Sequence, residues 1–254
     1  MFIDSHCHLD FPDFANRIDE VLDRMRENRV DGALCISVTM PEFPGVLALA
    51  ERYQQLWATV GVHPDYPDSD EPDVASLVEL ARHPKILAIG ETGLDYYRLE
   101  GDLEWQRERF RVHIRAARAC GKPLVVHTRA ASEDTIRIMR EEGADAVGGV
   151  MHCFTEGWET ARAAMDLGFH ISFSGIVTFK NAQALRDVAV KVPDERLLIE
   201  TDSPYLAPVP FRGKTNEPAF VRYVGEKLAE IRGSGVAHIA ERTTENFHNL
   251  FKAL

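Results

Sequence analysis

Residues 86–127 read ILAIGETGLDYYRLEGDLEWQRERFRVHIRAARACGKPLVVH. The stretch opens on a short apolar run, 86–90, and closes on another, 124–127. Between them, 103–120 is long and charged with apolar residues at helical spacing, and Gly121 stands where a helix cap is expected. Strand, helix and strand in that order make a βαβ unit, with parallel strands and a right-handed crossover.

The same alternation extends in both directions. Further strands are expected at 2–6, 33–38, 57–62, 147–152, 169–174 and 197–200. Helices are expected at 18–29, 45–54, 73–82, 133–142, 159–167 and 182–190. Eight strand candidates predict closure into a (β/α)8 TIM-type barrel, as one domain over 1–254. The alternative is an open doubly wound sheet, but no G-x-G-x-x-G loop follows the first strand, which disfavours a dinucleotide fold. A Pro- and Gly-rich loop at 207–218 and two helices, 219–231 and 236–251, complete the chain.

Composition narrows the function classes. The formal net charge of −11 argues against a protein coated in positive charge for general nucleic-acid binding. The four cysteines, Cys7, Cys35, Cys120 and Cys153, show no C-x-x-C spacing. Without a leader-like start or a membrane-length apolar run, the chain is expected to be cytoplasmic and reduced.

The chemistry gathers at the ends of the expected strands. His6 and His8 end the first strand, and residues two apart on a strand share a face. Glu91 follows the strand 86–90, His127 ends 124–127, His152 ends 147–152, and Asp202 lies just beyond 197–200. In a barrel these ends converge on one face, and imidazole with carboxylate is a donor set for divalent metals. Asp4 and Glu200 precede His6 and Asp202 by two residues and are expected to orient ligands from below. Cys7 and Cys153 are read as packing, and His83, His113, His170, His238 and His248 as solvated or packed.

For substrate contacts the sequence offers His63 in GVHP, and Arg98, Arg129, Lys180, Arg212 and Lys214 in loops near the proposed face. Tyr96, Tyr97, Tyr205 and Phe211 are candidates for base stacking or for loop packing. We take His63, Tyr96, Arg129, Arg212 and Lys214 as the expected substrate-binding set.

Taken in order, SHCHLD at 5–10, GVHP at 61–64, IGETGLDYY at 89–97, KPLVVHTR at 122–129, HCF at 152–154 and IETDSPYLAP at 199–208 resemble the TatD-type deoxyribonuclease family of the amidohydrolase superfamily. The resemblance runs on through NEPAFV at 216–221 to ENFHNLF at 245–251. It implies two divalent ions (Mg, Mn or Zn). His6, His8 and Asp202 would hold one ion, His127 and His152 the other, and Glu91 would bridge them. It also implies 3′-to-5′ exonuclease action on DNA, at a single strand or a 3′ end; the chain is expected to act as a monomer. Two loops depart from the family pattern: Thr155-Glu156-Gly157 stands where a Ser-Gly pair is common, and Thr215 replaces a commonly basic residue. Asp202 is expected both to ligate and to accept the proton of the attacking water. The competing expectations are a hydrolase of small esters or amides, such as an aminoacyl or phosphotriester substrate, on the same centre, and a metal-stabilised binding protein. A basic rim would favour the nuclease, and an apolar pocket the small-substrate hydrolase.

Overall fold

The computed structural model describes residues 1–97 and 99–253. Eight parallel strands lie in sequence order, each hydrogen-bonded to the next. They alternate with helices as β1 (Phe2–Cys7), α1 (Ile18–Glu27), β2 (Val30–Cys35), α2 (Phe43–Arg52), β3 (Leu56–Val60), α3 (Val74–Leu80), β4 (Ile86–Asp95) and α4 (Glu104–Cys120). The second half repeats the pattern with β5 (Leu124–Arg129), α5 (Ser132–Glu141), β6 (Gly149–Met151), α6 (Trp158–Asp166), β7 (Phe169–Phe173), α7 (Gln183–Lys191) and β8 (Leu197–Ile199). Helices α8 (Val221–Arg232) and α9 (Val236–Phe251) follow.

The barrel closes where the chain runs on past β8. There Asp202 N–H donates to His6 O at 2.9 Å and His8 N–H donates to Ser203 O at 2.8 Å. Thr201 N–H adds a bond to Asp4 Oδ1 at 2.8 Å. Asp4 also accepts from His6 N–H, so it fixes the backbone of both closing segments and not the His6 ring.

Local sequence explains the elements. Helix α1 buries Val21, Leu22 and Met25 at helical spacing, and α3 is capped by Asp73, whose Oδ1 accepts from Ser76 N–H at 2.7 Å. Helix α4 ends at Gly121 in the left-handed conformation, as its position predicts.

The largest departure from expectation is β4, which continues to Asp95 instead of ending at Gly90. Its register against β5 steps between Ile89 and Thr92, a bulge that takes in Glu91. Beyond the bulge, Gly93 has φ +136° and its Cα lies so close to β5 that a Cβ would stand 2.0 Å from His127 O. Glycine therefore permits the approach that sets Glu91 beside His127. Elsewhere β2 begins at Val30 and ends at Cys35, before the expected 33–38, because Ser37 already turns to bond Gly61 O and Thr39 O.

Low in the barrel, Ile3, Leu34, Val125, Val150 and Leu198 form one buried cluster with Phe247 and Phe251 of α9. Among the described residues, no helix is long and apolar enough to cross a membrane.

Candidate metal centre

The upper ends of the strands bring the six expected ligands together. His6 Nε2 stands 3.2 Å from Glu91 Oε2, and His152 Nε2 stands 2.6 Å from Glu91 Oε1. His127 Nδ1 approaches the same Oε1 at 3.2 Å. On the other side, Asp202 Oδ1 lies 3.6 Å from His6 Nε2 and 3.4 Å from His8 Nε2. The rings of His6 and His152 stack at 3.9 Å. The donor atoms thus form one continuous cluster, with overlapping groups such as His6, His8 and Glu91, or His6, His152 and Asp202.

Two carboxylates stand behind the histidines. Glu200 Oε1 is 3.2 Å from His152 Nδ1, and Asp95 Oδ2 is 3.1 Å from His127 Nε2. His152 and His127 therefore each have one nitrogen on a supporting carboxylate and the other toward Glu91, the arrangement that fixes ring tautomer and raises ligand basicity. Glu200 matches the orienting role expected of it. Asp95 was missed, although it stands in the ETGLDYY motif. A strand ending at Gly90 gave no reason to look there, and the extended β4 supplies it.

The electrostatics follow from crowding. Burial pushes the Glu91 carboxyl up, but His152, His63 and His6 hold it well below its ordinary range. Burial lowers His152, and Glu91 and Glu200 together lift it well above its ordinary value. The carboxylates thus favour positive charge at this point.

The donor set fits divalent cations. His6 Nε2 and His8 Nε2 face each other at 3.3 Å, and so do His127 Nδ1 and His152 Nε2. The Nδ1 atoms of His6 and His8 are buried without a hydrogen-bond partner. Converging imidazole nitrogens beside buried carboxylates are the chemistry that a cation satisfies.

His63 reaches the same cluster, with Nε2 3.3 Å from Glu91 Oε1. Its Nδ1 accepts from Asp65 N–H at 3.0 Å, so the neutral ring carries its proton on Nε2. That makes His63 a hydrogen-bond donor toward the centre. Its loop is held by one buried face of α4. Gln106 donates to Pro64 O at 3.1 Å, Arg109 to His63 O and Tyr66 O at 2.9 Å each, and His113 Nε2 accepts from Val62 N–H at 3.0 Å. Burial lowers the His113 pKa to about 4, which keeps this acceptor neutral.

Above the cluster lies a cleft of about 810 Å³. Its apolar walls include Phe11, Tyr66, Ile176, Tyr205 and Leu206. Phe11 was not singled out from the sequence; its ring stacks on His8 at 4.8 Å. Cys153, expected to be packing, lines the cleft, since the chain leaves β6 at φ +41° there.

The expected substrate-binding residues divide. His63 and Arg129 line the cleft. Tyr96 does not: its hydroxyl donates to Asp134 at 2.8 Å and accepts from Arg107, because β4 turns Asp95 inward and the next residue outward. Arg212 lies 3.7 Å over the Phe179 ring and donates to Ala207 O, and it is not among the described residues that line the cleft. Lys214 stands beside Phe211, which itself stacks on Phe220 at 4.1 Å. Lys180 lines a separate hollow with Arg186 and Lys227. Arg98 lies outside the described residues.

Comparison with known proteins agrees with this geometry. The family described as "TatD related DNase" matches residues 3–252. An uncharacterized metal-dependent hydrolase of Escherichia coli K12, YcfH, is 48% identical over 98% of this chain and 95% of its own length. A Klebsiella pneumoniae protein named 3′-5′ ssDNA/RNA exonuclease TatD is 32% identical over 94% of this chain and 93% of its own. The crystal structure of the TatD homolog YJJV of Escherichia coli K12 superposes with TM-score 0.90 at 31% identity, covering 100% of this chain and 98% of that one. The chain belongs to the TatD family of metal-dependent hydrolases.

Proposed function

We infer that the protein is a phosphodiester hydrolase that removes nucleotides from the 3′ end of single-stranded DNA, with two divalent cations (Mg, Mn or Zn) in the strand-end cluster. One observation carries this reading: the two carboxylate oxygens of Glu91 point to different imidazole groups, Oε2 to His6 and Oε1 to His127 and His152. His6, His8 and Asp202 would hold one ion, His127 and His152 the other, with Glu91 between. When bound, such a pair lowers the pKa of a water and offsets charge on the attacking and leaving oxygens.

The chain supplies the rest. Asp202, partly exposed at the cleft floor, would accept the proton of the attacking water. His63 would donate from Nε2 to a substrate oxygen. Glu200 and Asp95 keep His152 and His127 in register. The Klebsiella relative's name supports the choice of nucleic acid as substrate. The four cysteines are free, which suits action in a reducing cytoplasm, and we take the protein to act there as a monomer.

The test is a 5′-labelled single-stranded oligonucleotide incubated with Mg²⁺ or Mn²⁺, beside a Glu91→Ala variant. The reading expects a ladder shortening from the 3′ end with the wild type alone. An intact oligonucleotide under every metal would refute it.

A second reading, hydrolysis of a small ester or amide, draws on the cleft wall. Among the described lining residues, Arg129 is the sole Arg or Lys, and much of the remaining wall is apolar. A panel of aryl phosphotriesters and aminoacyl esters under the same metals tests it.

A further inference from the structure

Arg129 differs from most arginines of this chain. Arg107, Arg109, Arg111, Arg115 and Arg137 are each ion-paired to a glutamate or aspartate. For the Arg129 guanidinium, among the described residues, the structure shows no ion pair and no side-chain hydrogen bond. The guanidinium lies 3.8 Å over the ring of Tyr97, and the Asp95 carboxylate feels its charge. Tyr97 is 65% exposed, so the pair stands at the cleft rim.

Its position is fixed by the barrel. Arg129 is the last residue of β5, two beyond His127, and alternation gives the two side chains one face. The β4–β5 ladder pairs it with Asp95, whose carboxylate supports His127 and accepts from Tyr97 N–H at 2.9 Å. The strand that delivers His127 to the metal centre thus delivers Arg129 to the wall beside it, and the same aspartate anchors the chain that brings Tyr97 beneath it.

A guanidinium whose fork carries no hydrogen bond among the described residues, stacked on an aromatic face at the rim of the cleft, suits two-point contact with an oxyanion such as phosphate. Stacking on tyrosine reduces the rotamer freedom lost on binding. Among the described residues, no second Lys or Arg lines the cleft, and Arg129 is the one such seat there.

We propose that Arg129, seated on Tyr97, is a single-phosphate subsite next to the metal centre, and that the substrate is therefore gripped at one phosphate beyond the scissile one. This rests on the phosphodiester reading above and narrows it to short substrates or chain ends. Among the described residues, nothing else lining the cleft offers a longer chain an Arg or Lys. An acidic protein of net charge −11 also has little general attraction for a polyanion.

The test measures binding as well as turnover. Metal-loaded wild type, Arg129→Gln, Arg129→Lys, Tyr97→Phe and Tyr97→Leu are titrated calorimetrically with a nucleoside 5′-monophosphate and with the unphosphorylated nucleoside. Arg129→Gln should weaken the monophosphate by about tenfold to a hundredfold, the range for a hydrogen bond to a charged group, and leave the nucleoside unchanged. Tyr97→Leu, at an exposed position that folding does not need, should weaken it less, and Tyr97→Phe should restore it. Arg129→Lys, which keeps the charge and loses the fork, should fall between wild type and Arg129→Gln.

Where oligonucleotides are cleaved, KM should be flat from a tetramer to a thirty-mer. The slope of log KM against log salt should fall by about 0.7 in Arg129→Gln, the value for one single-strand phosphate contact. Equal monophosphate affinity in wild type and Arg129→Gln would overturn the subsite, as would a KM that keeps falling with chain length. If no oligonucleotide is cut, the exonuclease reading fails on its own, and the monophosphate titration still decides the subsite.

Discussion

The floor and the mouth of the barrel are built on the same strands and from opposite chemistry. At the floor, Val125, Val150 and Leu198 meet Phe247 and Phe251 in an apolar cluster. Two residues further along the same strands, and on the same face, stand His127, His152 and Glu200. Charged and imidazole groups are costly to bury unless paired. The mouth also holds Cys153 and Asp202 at positive φ, a conformation that costs about 1–3 kcal/mol per residue. At the floor none of the cluster's own residues is at positive φ, although Lys252, between Phe251 and Ala253, is at +50°. The floor's apolar burial offsets what the mouth costs, so the two ends should separate stability from chemistry under mutation.

The largest effect is expected from Glu91→Ala at the mouth. Losing the carboxylate between the two imidazole groups should lower kcat on the order of a thousandfold or more, since metal assistance supplies several kcal/mol. Calorimetry should show reduced metal stoichiometry, with the unfolding temperature of the metal-free protein near that of wild type. At the floor, Phe247→Ala should do the reverse. It should cost about 3–5 kcal/mol of stability in chemical denaturation and leave kcat of the folded fraction nearly unchanged. A floor mutation that abolished chemistry without unfolding would break the comparison.

Between the two ends, α4 offers a pH test. The His113 pKa falls from its ordinary 6.5 to about 4 on burial. Below 6.5 the unfolded chain takes up a proton that the folded chain refuses, so the stabilisation present at neutral pH is lost as pH falls from 6.5 toward 4. The shift corresponds to roughly 3 kcal/mol. Denaturation at pH 7 and pH 4.5 should show the loss, and His113→Gln should reduce it. Smaller still, Glu200→Gln and Asp95→Asn should weaken metal binding by about 10–100-fold without unfolding the protein, because each acts through a histidine ring. Titration of the metal-free protein with Mn²⁺ would measure both.

How much of this could be read in advance follows the same division. The convergence of the strand-end histidines and carboxylates was readable because parallel strands deliver their C-terminal residues to one face whatever the loops do. Glu200 followed by counting back two from Asp202. Asp95 did not follow, because the bulge at Glu91 and the strand beyond it have no signature in apolar periodicity. That one extension also decides Tyr96 against Tyr97, since it sets which neighbour turns outward. Arg212 and Lys214 lay beyond reach for another reason. Their loop packs by ring contacts, Phe211 on Phe220 within the same segment and Arg212 on Phe179 far earlier in the chain, that leave no mark in the local pattern.

The central claim is that His6, His8, Glu91, His127, His152 and Asp202 share a pair of cations at the barrel mouth. A crystal grown with Mn²⁺ and measured for anomalous scattering tests it most directly. The account predicts two peaks, one on each side of Glu91, and loss of at least one of them in Glu91→Ala. A mouth without anomalous density, with Mn²⁺ bound elsewhere on the protein, would contradict it.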